Sequence, residues 1–239
     1  IEDADHVVRF KIYRPGQALP LSDCLPMMEN MGLRVIGEEL FEITARNEST
    51  IWIHNFLLEE EHGEAVDLGA AKANFEEAFG KVWSGEVEDD GFNRLVLKAG
   101  LDWRQIVVLR SLCKYLRQTG IAYSQDYMED TLARNHAIAQ SIAALFQARF
   151  EPGLGAGRQA RIETLDQTII DSLEAVESLD DDRILSRFRN LVHAALRTNH
   201  FQTAEDGGPK SYLSIKFDSQ AVEDLPLPRP FREIFVYSP

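Results

Sequence analysis

His6-Val7-Val8-Arg9-Phe10-Lys11-Ile12-Tyr13 is the stretch that decides the fold class. Val8, Phe10 and Ile12 alternate with Val7, Arg9 and Lys11, the period of a strand with one face buried. Pro15-Gly16 breaks that period. Downstream, Ser22 is placed to cap a helix running through Met27-Met28, and Asp23 is favourable in its first turn. Gly32, just past Met31, suits a left-handed helix end. Leu33 to Ile43 and Ile51 to Leu58 read as two more strands, joined by the polar turn Asn47-Glu48-Ser49. The order β-α-β-β opens a ferredoxin-like unit and gives an α+β chain.

From Asp67 the period becomes helical. Asp67 is placed to cap a helix carrying Ala71, Phe75, Phe79, Val82 and Trp83 on one face. Asp90 starts a short helix through Leu97, which ends at Gly100, and Asp102 caps the next, which stops at Gly120. Phe92 to Leu97 reads as helix, so no fourth strand is evident. Ser124 opens a segment that runs, with room for a break, to Phe150. Beyond Gly157 the apolar stripe Ile162, Leu165, Ile169, Leu173, Val176 faces a second stripe, Leu185, Phe188, Val192, Ala195, opened by Asp180 or Asp181. The short Ser178-Leu179-Asp180 link predicts a long antiparallel helical hairpin. Thr203 to Pro209 is a polar loop. Ser211 to Phe217 and Glu233 to Tyr237 are strands, separated by the extended Leu225-Pro226-Leu227-Pro228-Arg229-Pro230. The expected organisation is an α+β unit over 1–66, a helical domain over 67–200, and a linker with the first strands of an interrupted domain over 201–239.

The 239 residues carry a net charge of −14, with 20 acids against 9 bases in the first hundred. Such a surface repels phosphate backbones, which argues against nucleic acid and anionic membrane as partners. No run of apolar residues is long enough to span a bilayer. Cys24 and Cys113 are isolated thiols, as expected of a reducing cytoplasm.

Motifs for chemistry are absent or incomplete. Gly153-Leu154-Gly155-Ala156-Gly157 fails the G-x-G-x-x-G dinucleotide pattern, because Arg158 stands where the last glycine belongs and Pro152 precedes it. The six histidines have no paired ligand spacing. The acidic runs Glu59-Glu60-Glu61, Glu88-Asp89-Asp90 and Asp180-Asp181-Asp182 are expected to cap helices and meet solvent. No catalytic, cofactor-binding or metal-ligating residue is nominated.

Several strings resemble the large bacterial NAD-specific glutamate dehydrogenases. They are Leu21 to Ile36 (LSDCLPMMENMGLRVI), Tyr115 to Gly120 with Ser124 to Asp130, Ser178 to Leu185, Leu196-Arg197-Thr198-Asn199, and Asp224 to Pro239. They cover nearly the whole chain in the family's order. The resemblance implies a segment just ahead of the catalytic core, inert alone. The intact, homo-oligomeric cytoplasmic enzyme would pass hydride from L-glutamate to NAD, and the downstream catalytic domain of the same chain would be this segment's partner. The first unit also resembles an ACT domain through Arg14 to Leu19 and Gly32. That likeness implies an amino-acid effector at Pro15, Gly16, Gln17 and Leu19, where a chain lacking a Cβ presents backbone N–H groups to a carboxylate.

Overall fold

A computed structural model describes residues 7–44, 50–61 and 68–239. Asp67 and the 45–49 turn, singled out above, lie outside the described residues.

The alternation at the N-terminus produces β1 (Val7–Pro15), whose Val8, Phe10 and Ile12 turn inward while Arg9, Lys11 and Tyr13 face out. β2 (Leu33–Ile43) and β3 (Ile51–Glu60) complete an antiparallel sheet of order β1-β3-β2. Phe56 of the central strand is opposite both Phe10 and Glu38. A bulge between Val35 and Gly37 turns Ile36 outward. One sheet face is covered by α1 (Leu21–Asn30), through Cys24, Met27 and Met28, and by α2 (Leu68–Trp83). Phe75 and Phe79 of α2 meet the Phe10 ring edge-on, centroids 5.3 and 4.9 Å away. Ser22 is not the cap. The chain enters α1 two residues earlier, from extended Pro20, and the Ser22 hydroxyl donates to its neighbour Asp23 instead. Gly32 adopts φ +79° at the end of α1, and a Cβ there would press on the Arg94 side chain at 3.3 Å.

After α2 the chain forms a single 3₁₀ turn (Gly91–Arg94) leading into α3 (Leu95–Lys98), and no fourth strand pairs with β1 among the described residues. Asp90 caps this turn by accepting from the Phe92 N–H. α4 (Trp103–Gln118) follows a full capping box, in which Asp102 accepts from the Gln105 N–H and Gln105 accepts from the Asp102 N–H. Ser124 caps α5 (Gln125–Arg134), and Asn135 breaks it from α6 (His136–Phe150). α7 (Arg158–Leu173) turns back along α6 more closely than along α8 (Leu179–Ala194), so the expected α7–α8 hairpin is one side of a three-helix arrangement. In its stripe only Ile169 is fully buried. Ser178, not Asp180 or Asp181, caps α8 by accepting from the Asp181 N–H.

The helical period continues through Ala195, yet Ala195–Thr198 is strand β4, inside the stretch expected to be wholly helical. It pairs with β5 (Leu213–Phe217), which pairs with β6 (Glu233–Tyr237) in a second antiparallel sheet, β4-β5-β6. Tyr115 of α4 stacks on Phe217, centroids 4.4 Å apart, and meets Phe235 edge-on. One continuous apolar core runs from α1 through the helices to β6. Among the described residues no helix is long and apolar enough to cross a membrane.

Candidate functional sites

The loop between β1 and α1 places Pro15, Gly16 and Gln17 at the surface and Leu19 in the core. Gly16 has φ +91°, with nothing within 4 Å of where a Cβ would stand. Its N–H, however, already donates to the Thr50 carbonyl at 2.8 Å, and its carbonyl accepts from the Trp52 indole. The Leu19 N–H is also engaged, donating to His54 Nε2 at 2.9 Å. A ring nitrogen that accepts carries no proton, so Nδ1 holds it and donates to the Glu38 carboxylate, 2.6 Å away. His54 is buried and ties the loop to β2 and β3. Two of the backbone donors expected to face an effector therefore close the fold itself, and a ligand here would have to compete with Thr50 and His54.

A second centre, unanticipated from sequence, surrounds Arg110 on α4. This arginine is fully buried. Its Nε and Nη2 clasp both oxygens of Asp90 at 2.7 Å, and Nη2 also donates to Asn93 Oδ1 at 2.8 Å. Burial opposes the charge, but the hydrogen bonds and charge of Asp90 outweigh it and hold the guanidinium above the ordinary arginine pKa. Nη1 has no partner among the described residues. Around this pair, Gln125 donates to Glu129, and Glu129 accepts from the Gly91 N–H. Burial raises the Glu129 pKa. Lys114 pairs with Glu88, whose other oxygen accepts from the Tyr237 hydroxyl at 3.2 Å. The network thus joins the 3₁₀ turn, α4 and α5 to β6.

The acidic runs are accordingly pinned rather than simply solvated. Asp89 accepts from Asn30, Glu60 pairs with Lys98, and buried Asp181 accepts from Arg134, Asn135 and Thr131. These partners are distant in sequence, which is why the runs alone suggested caps. The glycine loop between α6 and α7 is exposed but closes on itself. The Gly155 N–H donates to Gly153 O, and the Arg158 guanidinium closes on the Arg149 and Glu151 carbonyls at the end of α6. With a helix rather than a strand before it and the Gly155 amide already engaged, this loop does not fit a dinucleotide pyrophosphate.

A cavity of about 450 Å³ opens between α2, α4, the segment after β4 and the end of β6. Trp103, Arg104, His200, Lys210 and Tyr212 are among its walls. Arg104 donates to the His200 carbonyl, and burial with the nearby Arg104 charge lowers the His200 pKa to about 4. Its imidazole, edge-on to Phe146 and Phe201, is therefore neutral near pH 7.

Three family models match successive stretches of the chain. Residues 1–71 match the glutamate dehydrogenase ACT3 domain, 87–152 match glutamate dehydrogenase helical motif 3, and 168–239 match the bacterial NAD-glutamate dehydrogenase catalytic domain. The NAD-specific glutamate dehydrogenase of Halomonas elongata is 42% identical over the whole chain, which covers 15% of that relative. That of Pseudomonas aeruginosa is 39% identical over 96% of the chain and 14% of the relative, and that of Mycobacterium tuberculosis 38% over 99% and 15%.

The chain belongs to the bacterial NAD-specific glutamate dehydrogenases.

It spans about 15% of the length of these curated relatives. In this glutamate dehydrogenase chain the first sheet with α1 and most of the Gly16 loop's contacts falls within the ACT3 match, and the Arg110–Asp90 pair within the helical motif. The catalytic-domain match starts at residue 168, inside α7, whereas the sequence places its last segment from 201. It takes in α8 and the whole second sheet.

Proposed function

We propose that this chain is a regulatory and scaffold segment of a glutamate dehydrogenase that converts L-glutamate, NAD and water to 2-oxoglutarate, ammonia and NADH. The intact enzyme would bind NAD and the reacting glutamate on chain other than residues 1–239. The observation that carries this reading is the colinear match of an ACT domain, a helical motif and catalytic-domain sequence, at about 40% identity, to a small fraction of much longer relatives. The β1-α1-β2-β3-α2 order, with sheet order β1-β3-β2, supports an ACT-like reading of the first unit. Incubation of the chain with glutamate and NAD is expected to give no absorbance at the NADH band, while the same assay on a full-length relative does. Turnover by this chain that a substitution within it abolishes would overturn the assignment.

The positive φ and open space at Gly16 support a second reading, in which Pro15, Gly16, Gln17 and Leu19 receive an amino-acid effector. Calorimetry against the common amino acids should then give saturable heat that Gln17→Ala weakens; heat from none of them at millimolar concentration removes this reading and leaves the scaffold. Homo-oligomerisation and contact with a downstream catalytic domain belong to the same proposal. Ile234 and Val236, both more than half exposed on β6, support a surface that another element covers.

A further inference from the structure

We infer that the cavity between α2, α4 and the second sheet is a binding site for a small metabolite bearing a carboxylate or phosphate oxyanion, with Arg104 and Lys210 as its counter-charges. Charge pairing around the cavity carries the inference. Of its cations, Lys81 is neutralised by Glu86 at 2.7 Å and lies over the Trp103 ring. Its acids are likewise engaged: Glu86 also accepts from Ser84, and Asp206 closes its own turn by accepting from the Gly208 N–H. Arg104 and Lys210 form no ion pair among the described residues, although the chain as a whole carries a charge of −14. The Arg104 guanidinium spends one donor on the His200 carbonyl, leaving a planar fork able to hold a carboxylate or phosphate through two parallel bonds. Trp103 and Tyr212 supply flat walls for a ligand's carbon skeleton.

The walls come from the end of α2, from the helical motif and from the catalytic-domain match, and the segment joining β4 to β5 supplies much of the rim. A ligand there would brace that segment against α4. This goes beyond the effector reading of the Gly16 loop, which involves different residues.

Calorimetry of the 239-residue chain with succinate, inorganic phosphate and neutral succinamide tests it. Succinate or phosphate is expected to bind saturably, more weakly as salt rises, and at least tenfold more weakly in both Arg104→Met and Lys210→Met. Whichever of the two ions binds identifies the oxyanion source. Lys210 is half-buried but has no hydrogen bond or ion pair to lose among the described residues, so its variant reports on the site even if loss of the Arg104 bond disturbs folding. Absence of binding by both ions, equal binding of succinamide, or heat that survives both substitutions would overturn the inference. Heat lost only in Gln17→Ala would do the same and transfer the ligand to the β1–α1 loop.

Discussion

Removing the Arg110 guanidinium would leave the Asp90 carboxylate, about one-eighth exposed, without the one cation it pairs with among the described residues, and Asn93 without its donor. Breaking a buried pair from one side costs about 3–5 kcal/mol, because the stranded charge keeps its desolvation penalty. Arg110→Met is therefore expected to lower unfolding free energy by about that amount in urea titrations. Arg110→Lys should recover less than half, since an ammonium cannot clasp both oxygens. A loss under about 1 kcal/mol in Arg110→Met would show that the pair is not a structural centre. His200 gives a pH signature. Its folded pKa, about 4, lies below its unfolded value near 6.5, so the unfolded chain binds more protons between those limits. Stability contributed by the neutral ring is complete above pH 6.5 and declines as pH falls towards 4, by at most about 3 kcal/mol. His200→Phe should flatten the wild-type slope in that window. An unchanged slope would contradict the burial of an uncharged ring. Neither residue stood out in the sequence. Arg110 shares a helix with Ile106, Leu109 and Leu112, and nothing local marks Asp90, twenty positions earlier, as its partner.

At the level of elements, capping chemistry was legible at three of the helix starts. Asp90, Asp102 and Ser124 all accept from the backbone as their spacing implies. It misled at Ser22, where Pro20 fixes the entry to α1, and at Asp180, where Ser178 sits two residues further out. The difference is measurable. Asp102→Ala is expected to cost about 1–2 kcal/mol, because it removes the carboxylate that accepts from the Gln105 N–H. Ser22→Ala should stay within about 0.5 kcal/mol, as an exposed substitution away from any cap. Similar costs at the two positions, by chemical denaturation, would overturn this ranking. β4 was illegible for another reason. Four residues that extend the α8 stripe become strand because β5 offers them a ladder, and context of that kind overrides local period. The 3₁₀ turn and α3, by contrast, fall where Phe92 to Leu97 had suggested helix over a fourth strand.

Across the whole molecule, the sheets lie at opposite ends of the sequence yet share one apolar core, in which α4 packs against α2, the 3₁₀ turn and β5. Its Tyr115 stacks on Phe217 and donates to Glu233 at 2.6 Å, while Arg110 one turn earlier holds the network reaching Tyr237. This division by period was readable in the sequence; the union of its parts was not, because it rests on contacts separated by more than a hundred residues. Three separate matches would suit three units that unfold independently, whereas a shared core implies that they unfold together. Phe217→Ala decides between these. Excision of a fully buried phenylalanine typically costs about 3–5 kcal/mol through lost transfer energy and the cavity left behind. If the core is cooperative, that loss in the second sheet should lower the unfolding midpoint reported by Trp52 on β3 as much as that reported by far-UV circular dichroism. A midpoint at Trp52 that stays put while the helical signal shifts would show the first sheet to be a separate folding unit, and α4 a contact between domains rather than the spine of one.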